Sequence, residues 1–349
     1  MRAAVLEGIG AITLKDVDTP ACPPDGVLVR VDACAVCGTD VKALRHGHQM
    51  VKPPVILGHE LAGTVAEVGR DVQGHCAGER VTVASAVPCG TCCYCQRGQS
   101  TVCESILDIG SAWPGGFAQY MLAPGRAVRT ACVNKIPDGV SAAAAALTEP
   151  LACCLNAQEM LALGVGDSVL IIGAGAIGCL NAMLARARGA TAVIMANRSE
   201  HRLKLAEAAG ADRYVNTSAE DLHDAVMAET RGRGADVVIV ACASREAQEQ
   251  SVALAAPRAR INFFGGLPRD SSSISFDSNR LHYAEQTLVG NHGATPYQNY
   301  KALQLIASGL VDTEKIVTHR FALDEITKAI EAAERKEGLK VLVELGREP

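Results

Sequence analysis

The spacing of apolar residues along the chain changes character near residue 140. Over residues 1–137, short alternating apolar runs such as 26–31 and 79–83 are separated by Gly and Pro. This pattern predicts short antiparallel strands. From residue 141 onwards, apolar runs of strand length alternate with helical patterns, which indicates βαβ units and a parallel sheet. We therefore expect a mostly β half followed by an α/β half.

The second half contains enough candidate strands for a doubly wound sheet. Helical patterns at 199–209 and 246–255 lie between these candidates, as a series of βαβ units requires. We predict parallel strands at 169–172, 192–196, 236–240, 260–264 and 287–289.

The C-terminal part departs from this series. It shows helical patterns at 297–308 and 324–334, a short strand around 317–321 and a final apolar strand at 340–344. The final strand has no obvious place in the parallel sheet. We infer that the chain returns to the first half, so that one domain is interrupted by insertion of the other.

The amino-acid composition indicates which kinds of partner the protein is expected to bind. The chain has 349 residues, 48% of them hydrophobic and 20% charged, which is typical of a folded globular protein with two domains or one large one. The 33 Lys and Arg residues and 38 Asp and Glu residues give a net charge of −5. Because no basic face is evident, we expect neither a nucleic-acid nor a membrane partner.

The first residues, the most apolar stretch and the cysteine content indicate the expected compartment and the role of the thiols. The first residues lack the basic and then apolar pattern of a signal peptide, so we expect a cytoplasmic protein with reduced thiols. The most apolar stretch, 169–185, is interrupted by glycines and by Asn181, so a strand, turn and helix explain it better than a membrane span. Fourteen cysteines in a chain of this length favour metal binding over a disulfide scaffold.

A glycine-rich turn follows the first strand of the α/β half. The G-x-G-x-x-G pattern lies between the apolar run 169–172 and a helical segment. In this context the first Gly permits a tight turn, the second lets backbone approach a pyrophosphate, and the third lets helix pack on strand. We therefore predict dinucleotide binding, with a plain glycine-rich turn as the alternative. The predicted cofactor-binding residues are Gly173, Gly175, Ala176, Ile177 and Gly178.

The end of the second strand bears on the choice of dinucleotide. NAD enzymes usually carry an acid here that accepts hydrogen bonds from the ribose hydroxyls, but this chain has Asn197. Arg198 and Arg202 follow, and they can grip a 2′-phosphate through charge-assisted hydrogen bonds. NADP is therefore favoured over NAD. Alternatively, both arginines decorate the exposed start of a helix that begins at Ser199.

Four cysteines are spaced to close a metal site on one loop. Their spacing is C-x2-C-x2-C-x7-C, and four thiolates fill a tetrahedral zinc site with no open position, so we predict a structural zinc. Cys93 is left over. A zinc-ribbon nucleic-acid module is a weaker alternative, because Arg97 is the only basic residue between the ligands; four unrelated buried thiols are another. The predicted ligands are Cys89, Cys92, Cys95 and Cys103.

A second set of possible ligands is dispersed along the chain. It comprises a Cys-Gly-Thr-Asp motif that starts at Cys37, a Gly-His-Glu motif that contains His59 and Glu60, and a Thr-Glu-Pro motif that contains Glu149. Spacing alone does not join these motifs. A lone histidine is more often a satisfied core or surface residue than a metal ligand.

Taken in order, these motifs resemble those of the zinc-dependent medium-chain alcohol dehydrogenases. The resemblance also uses the G-H-E-x2-G run at 58–63, Gly69 and the Gly-Gly-Phe-Ala-Gln-Tyr run at 115–120, and it covers essentially the whole chain. Glu149-Pro150 in place of a cysteine is similar to the sorbitol and threonine dehydrogenase branch. The implied fold class is α/β, with a GroES-like β domain and an inserted Rossmann-type doubly wound parallel sheet.

The resemblance also implies how the domains are arranged along the chain. It places a GroES-like catalytic domain at 1–147, with the structural zinc loop at 85–105. A Rossmann domain that binds NAD(P) would follow at 148–289, and residues 290–349 would form the C-terminal return. Members of the family are dimers or tetramers, so we expect a homo-oligomer.

Carried over by motif, Cys37 and His59 are fixed ligands of a catalytic zinc. Glu60 and Glu149 compete for the third ligand position, so both stay candidates. The resemblance implies that zinc lowers the pKa of a substrate hydroxyl and that hydride passes to the nicotinamide. Two zinc ions per chain and NADP, with NAD as the alternative, are the implied cofactors.

Thr39 matches the hydroxyl that passes the alcohol proton onward in this family. The next member of that relay is usually a histidine, but here it is Lys42, a poor relay unless its pKa is lowered. His46 and His48 are possible substitutes. Alternatively, Thr39 caps the helix that follows and Lys42 lies at the surface.

The expected activity is hydride transfer between a nicotinamide cofactor and a secondary hydroxyl or ketone of a polyol, cyclitol or sugar derivative. Positions near family pocket loops suggest Ser111, Trp113, His46 and Asn291 as pocket residues. A threonine-type amino-alcohol dehydrogenase is one alternative, with Arg45 as a possible partner for the substrate carboxylate. A catalytically silent dinucleotide-binding protein is the alternative from another class.

Overall fold

The computed structural model describes residues 1–345, apart from the side chain of residue 269. These residues form two compact units, the first built from 1–152 and 293–345 and the second from 153–292. Within the described residues, no helix is long and apolar enough to cross a membrane.

Strands occur throughout both units of the described chain. Those of the first unit before the insertion are β1 Arg2–Gly8, β2 Ala11–Asp16, β3 Val27–Ala35, β4 Val55–Ile56, β5 Glu60–Val68, β6 Arg80–Val83, β7 Ala86–Val87, β8 Leu107–Asp108, β9 Tyr120–Ala123 and β10 Val133–Lys135. Those that follow are β11 Ser168–Ile172, β12 Ala192–Asn197, β13 Arg213–Asn216, β14 Ala235–Val240, β15 Ala255–Phe263, β16 Thr287–Gly290, β17 Val317–Ala322 and β18 Lys340–Glu344.

The α-helices lie mostly in the second unit and at its borders. They are α1 Gly38–His46, α2 Cys93–Gln96, α3 Gly125–Arg129, α4 Ala142–Ala146, α5 Thr148–Met160, α6 Ala176–Ala187, α7 Glu200–Ala206, α8 Leu222–Glu229, α9 Arg245–Leu254, α10 Ser278–Tyr283, α11 Pro296–Ala307 and α12 Ile326–Arg335. Short 3-10 segments are Ser100–Val102, Glu207–Ala209, Arg269–Ser271, Thr313–Ile316 and Leu323–Glu325.

The first unit is built on a mostly antiparallel sheet of strand order β10-β6-β5-β3-β18-β17, with β9 also paired to β3. The final strand β18 lies beside β3, so the C-terminal residues complete the sheet that the N-terminal residues begin. In this register Ala35 faces Glu60 of β5 on one side and Leu342 of β18 on the other. The ends of three neighbouring strands are thereby brought together.

The second unit contains a parallel sheet with the order β13-β12-β11-β14-β15-β16. This is the doubly wound order in which the chain reverses direction across the sheet beside the first strand. All residues of β11 are buried, as expected for a central parallel strand covered on both faces. The predicted α/β architecture is therefore present.

The five predicted parallel strands all form, but the sequence prediction missed β13. That strand is short, carries Arg213 and Asn216 at its ends, and lies at the sheet edge, so it lacks the apolar run that marks a central strand. In addition, β15 begins at Ala255 rather than at residue 260. Pro257 lies inside it and masks the pattern.

Candidate metal centres and dinucleotide-binding loop

The four predicted cysteines of the first metal centre converge. Their sulfur atoms all lie within 4.8 Å of one another, with Sγ separations of 3.8 Å for Cys89 and Cys95, 3.5 Å for Cys92 and Cys95, and 3.9 Å for Cys92 and Cys103. A tetrahedral zinc with Zn–S bonds of about 2.3 Å requires sulfur atoms about 3.8 Å apart. The four sulfurs therefore fit a closed zinc site.

Backbone amides support negative charge on these sulfurs. The amides of Thr91 and Cys92 donate to Cys89 Sγ at 3.4 and 3.3 Å, and the amide of Cys89 donates to Cys103 Sγ at 3.2 Å. The hydrogen bonds from Thr91 and Cys92 lower the pKa of Cys89 to about 5. Cys93 is exposed, and its sulfur lies 3.7 Å from Glu104 rather than in the cluster.

The dispersed motifs also produce a cluster. Cys37 follows β3, whereas His59 and Glu60 lie at the start of β5, and the antiparallel pairing of β3 with β5 brings these strand ends together. Ligand atoms of Cys37, His59 and Glu60 all lie within 4.8 Å of one another. Glu60 is only 1% exposed. A buried carboxylate beside a thiol and an imidazole needs a cationic partner.

Asp40 organises two members of this cluster. Its carboxylate accepts hydrogen bonds from the backbone N–H of Cys37 at 2.8 Å and of Gly58 at 3.3 Å. Its Oδ1 also lies 3.7 Å from His59 Nδ1. Carboxylates beside ligating histidines fix the orientation of the ring. Asp40 thus ties the first turn of α1 to the segment that carries His59.

The structure adds Lys340, a residue that the sequence prediction missed. Lys340 Nζ donates to Glu60 Oε1 at 2.7 Å, although the two residues are 280 positions apart in the chain. Lys340 opens β18 and is buried. A lysine directly before three apolar strand residues was the available signal, but the sheet order is what reveals its partner.

The donor set of this cluster fits a zinc ion. A thiolate, an imidazole and a carboxylate are ordinary zinc ligands. Both oxygens of the buried Glu60 carboxylate lie close to Lys340 Nζ, Oε1 at 2.7 Å and Oε2 at 2.5 Å. Burial alone lowers the pKa of His59, but Cys37 and Asp40 outweigh it and raise that pKa well above the usual histidine value. The pocket therefore favours a positive charge.

Glu149 lies in the first turn of α5, where it is half-buried and accepts a hydrogen bond from Ser85 Oγ at 3.2 Å. Glu60 rather than Glu149 belongs to the three-ligand cluster. Charge on Glu149 nevertheless contributes to raising the pKa values of His59 and Lys340. Both carboxylates thus contribute negative charge at the cluster, and Glu60 supplies the carboxylate oxygen among its three ligand atoms.

The suggestion that Thr39 caps the following helix is wrong. The N-cap of α1 is Cys37, and Thr39 is the second residue of the helix with an exposed side chain. Lys42 and His46 are exposed as well, whereas His48 is half-buried and its Nδ1 accepts from the Met50 amide at 3.4 Å.

The suggested pocket residues have distinct environments. The indole of Trp113 donates to the Leu122 carbonyl at 2.8 Å and packs on the core of the first unit. Ser111 is half-buried, and Asn291 Oδ1 is buried without a hydrogen-bond partner. Arg45 forms a bidentate ion pair with Glu334, through Nε to Oε1 at 3.0 Å and Nη2 to Oε2 at 2.7 Å, which neutralises the cation suggested for a substrate carboxylate.

In the second unit, the glycine-rich turn follows β11 and leads into α6. Gly173 has a φ of +121°, and a Cβ on Gly178 would lie 1.9 Å from the Gly173 carbonyl oxygen, so both positions require glycine for the fold. Gly175 differs, because a Cβ there would meet only Arg202 Nη2, at 3.3 Å. The space beside Gly175 is therefore open for a ligand at the N-terminus of α6.

Two of the residues suggested for ribose recognition reach this turn. Asn197 Oδ1 lies 3.5 Å from the Ala174 amide, and Arg202 is half-buried with its guanidinium beside Gly175. Burial lowers the pKa of Arg202. Arg198 is exposed. Ser199 is the N-cap of α7, with its side chain accepting from the Arg202 amide.

Two protein-family models match this chain. Residues 23–137 match the alcohol dehydrogenase GroES-like domain, and residues 176–308 match the zinc-binding dehydrogenase model. The first match covers the motifs that contain His59 and the four-cysteine loop, whereas the second begins inside the glycine-rich turn.

Individual relatives span nearly the whole chain. The sorbitol dehydrogenase of Halalkalibacterium halodurans is 32% identical over 96% of both chains. The L-threonine 3-dehydrogenase of Pyrococcus abyssi is 35% identical over 91% of this chain and 90% of its own. A solved zinc-binding dehydrogenase of Sinorhizobium meliloti, bound to NADP, is 34% identical over 98% of both chains, with a TM-score of 0.92.

Proposed function

Because this chain belongs to the zinc-dependent medium-chain alcohol dehydrogenase family, we propose that it transfers hydride between a nicotinamide cofactor and a secondary hydroxyl or ketone of a polyol, cyclitol or sugar derivative. The observation that carries this proposal is the convergence of Cys37, His59 and buried Glu60 within 4.8 Å. Its relatives include a sorbitol dehydrogenase and a D-arabitol-phosphate dehydrogenase.

In this proposal Cys37 and His59 hold the catalytic zinc, with Glu60 or Glu149 as the third protein ligand. When bound, zinc would supply Lewis acidity that lowers the pKa of the substrate hydroxyl, and the nicotinamide would serve as the hydride acceptor. Thr39 Oγ1 would take the proton of the substrate hydroxyl while giving up its own proton towards solvent, to which its side chain is exposed. Asp40 holds the backbone beside both ligands by accepting from the amides of Cys37 and Gly58, and its Oδ1 lies 3.7 Å from His59 Nδ1.

We propose two zinc ions per chain, the second held by Cys89, Cys92, Cys95 and Cys103 as a structural ion. The match between their sulfur separations and a tetrahedral site supports this. For the dinucleotide we propose NADP over NAD. Asn197 in place of an acid and Arg202 beside Gly175 support NADP, and the relative from Sinorhizobium meliloti contains it.

A threonine-type amino-alcohol dehydrogenase is the second candidate, because L-threonine 3-dehydrogenases are among the relatives. The ion pair of Arg45 with Glu334 counts against it, since the guanidinium suggested for the substrate carboxylate already has a carboxylate partner. A homo-oligomer, dimer or tetramer, also stays a proposal, which light scattering tests. The edge strand β16 offers unpaired backbone groups for such assembly.

Turnover of a substrate panel tests the proposed function. Zinc-loaded protein is assayed for nicotinamide reduction with polyols, cyclitols, sugar phosphates, threonine and simple alcohols, each with NAD and NADP. Turnover of a polyol or cyclitol supports the proposal, and preference for threonine moves it to the second candidate. Absence of hydride transfer across the panel and in the reverse direction with the matching ketones contradicts it.

A further inference from the structure

The segment between the candidate zinc ligands Cys37 and His59 is rich in basic residues. Residues 41–58 contain no aspartate or glutamate, although the whole chain has a net charge of −5. The ligands on either side of this segment belong to one metal-binding cluster, so its basic groups lie in the neighbourhood of the proposed reaction site. The proposed mechanism gives them no role. They are Lys42, Arg45, His46, His48 and Lys52.

The basic residues of this segment differ in whether they have partners within the chain. The guanidinium of Arg45 is paired with the Glu334 carboxylate at 2.7 Å. Lys42, by contrast, is exposed and forms no hydrogen bond or ion pair with any residue from 1 to 345. The nearby carboxylate of Asp40 is buried and accepts from backbone amides. The ammonium of Lys42 is therefore available to an anionic ligand.

Helix α1 places Lys42 on the same face as Thr39. The helix begins directly after Cys37, and residues three, four or seven positions apart on a helix share one face. Thr39, Lys42 and His46 have this spacing and all are exposed. The Cβ atoms of residues three positions apart are about 5–6 Å from each other. Lys42 thus lies one helical turn beyond Thr39, on the side away from Cys37.

We propose that Lys42 binds a phosphate monoester on the substrate, so that the preferred substrate is a polyol or sugar phosphate rather than a neutral polyol. This inference rests on the proposed function, in which the reacting hydroxyl contacts Thr39. In a polyol phosphate, a secondary hydroxyl and the ester lie on neighbouring carbons or one carbon further apart. The flexible four-carbon stem of lysine spans the remaining distance, and its ammonium forms charge-assisted hydrogen bonds with phosphate oxygens.

The charge of the segment favours a phosphate over a carboxylate. A phosphate monoester carries a charge of about −1.5 to −2 near neutral pH and has three acceptor oxygens, whereas a carboxylate carries one charge. The exposed face of α1 offers two basic groups one turn apart, Lys42 and His46. Lys52 is exposed in the same segment and adds to the positive field that attracts a dianion.

The first test is selectivity in turnover. Zinc-loaded protein is assayed with sorbitol, arabitol and galactitol, each beside its own terminal phosphate monoester. We expect kcat/KM for an ester to exceed that for the parent polyol by about tenfold or more, mainly through a lower KM. Lys42→Gln is expected to lower this ratio by about tenfold or more, and Lys42→Arg to retain it. Lys328→Gln is the control, because Lys328 is an exposed lysine of the same unit that pairs with Glu325 at 3.0 Å.

The second test measures binding without turnover. Calorimetric titration of zinc-loaded protein with the terminal phosphate monoester of sorbitol, in the absence of dinucleotide, is expected to give a Kd about tenfold higher for Lys42→Gln than for wild type. The phosphates of the dinucleotide are another source of the same anion, so NADPH affinity is titrated in parallel. A Lys42→Gln protein that loses NADPH affinity but binds the ester as wild type does would assign Lys42 to the cofactor and overturn this inference.

The outcomes separate this inference from the proposed function. If neither the polyols nor their esters exchange hydride in either direction, the proposed function fails, and the calorimetric comparison still decides whether Lys42 binds the ester. If neutral polyols are turned over as well as their esters, or if Lys42→Gln keeps the wild-type ratio, the inference is wrong and the proposed function stands. Preference for gluconate over the esters also contradicts the inference, because it assigns the site to a carboxylate.

Discussion

Two neighbouring side chains at the end of β12 differ in exposure, since Asn197 is half-buried and Arg198 is exposed. Asn197 reaches the backbone of the glycine-rich turn, whereas Arg198 faces solvent. An uncharged amide at this position removes the carboxylate that would repel a 2′-phosphate, and Arg202 supplies a half-buried guanidinium beside Gly175. The proposed preference for NADP therefore rests on charge at single residues, which can be changed without altering the fold.

Asn197→Asp is expected to convert the preference from NADP to NAD. The new carboxylate repels a 2′-phosphate and accepts hydrogen bonds from an unmodified ribose, so the ratio of kcat/KM for NADP to that for NAD is expected to fall about 10- to 100-fold. Steady-state kinetics with both cofactors measure the ratio. Arg233→Ala, at an exposed ion pair with Asp236, is the control, and an unchanged ratio in Asn197→Asp contradicts the assigned role.

At the scale of elements, the turn between β11 and α6 separates glycines needed for the fold from the glycine that leaves room for a ligand. Gly178→Ala places a Cβ 1.9 Å from the Gly173 carbonyl, and we expect it to cost about 3 kcal/mol or more of unfolding free energy. Gly175→Ala meets only the end of Arg202. We expect its stability to change by about 1 kcal/mol or less, with dinucleotide affinity lower by about tenfold or more.

Denaturant unfolding and fluorescence titration with NADPH measure these two quantities for both variants. A Gly175→Ala protein that binds NADPH as wild type does would show that the space beside Gly175 is not used by the pyrophosphate.

The four-cysteine loop is the proposed site of the structural zinc, and its helix buries no side chain. Because α2 has no apolar core to order it, we expect cross-linking by zinc to supply most of the order of the loop. Cys92→Ser is expected to remove one of two zinc ions and to lower stability by about 3 kcal/mol, the magnitude of a cross-link that closes a loop of similar length. Cys93→Ser is the matched control, since its sulfur lies outside the cluster.

Metal analysis together with thermal unfolding distinguishes the two serine variants. Retention of two zinc ions by the Cys92→Ser protein would mean that this cysteine is not a ligand.

How well a feature could be predicted from the sequence depends on how far apart its interacting residues lie in the chain. Central strands such as β11 were recognisable because burial on both faces produces an unbroken apolar run, and the four-cysteine loop because its candidate ligands are close in sequence. The edge strand β13 has no such unbroken apolar run, so it was not recognised. The Lys340–Glu60 pair could not be recognised from close spacing, because its members are 280 residues apart and only the order of strands β5, β3 and β18 brings them together.

At the scale of the whole molecule, candidate chemistry and candidate cofactor binding belong to different units. Cys37, His59, Glu60 and Lys340 all lie in the unit formed by residues 1–152 and 293–345. The glycine-rich turn, Asn197 and Arg202 lie in the unit formed by residues 153–292. Each site is assembled from side chains of its own unit, which gives a way to remove one function and keep the other.

Cys37→Ala is expected to abolish turnover while leaving dinucleotide binding intact. Loss of a fixed ligand removes the catalytic metal and with it several kcal/mol of transition-state stabilisation, so kcat/KM falls by about a thousandfold or more. NADPH affinity is expected to stay within about threefold, because the proposed dinucleotide-binding residues lie in the other unit. Metal analysis should find one zinc per chain, and unfolding should follow the wild type closely. A Cys37→Ala protein with wild-type turnover would overturn the assignment of the zinc site, and one that no longer binds NADPH would show that the two sites depend on each other.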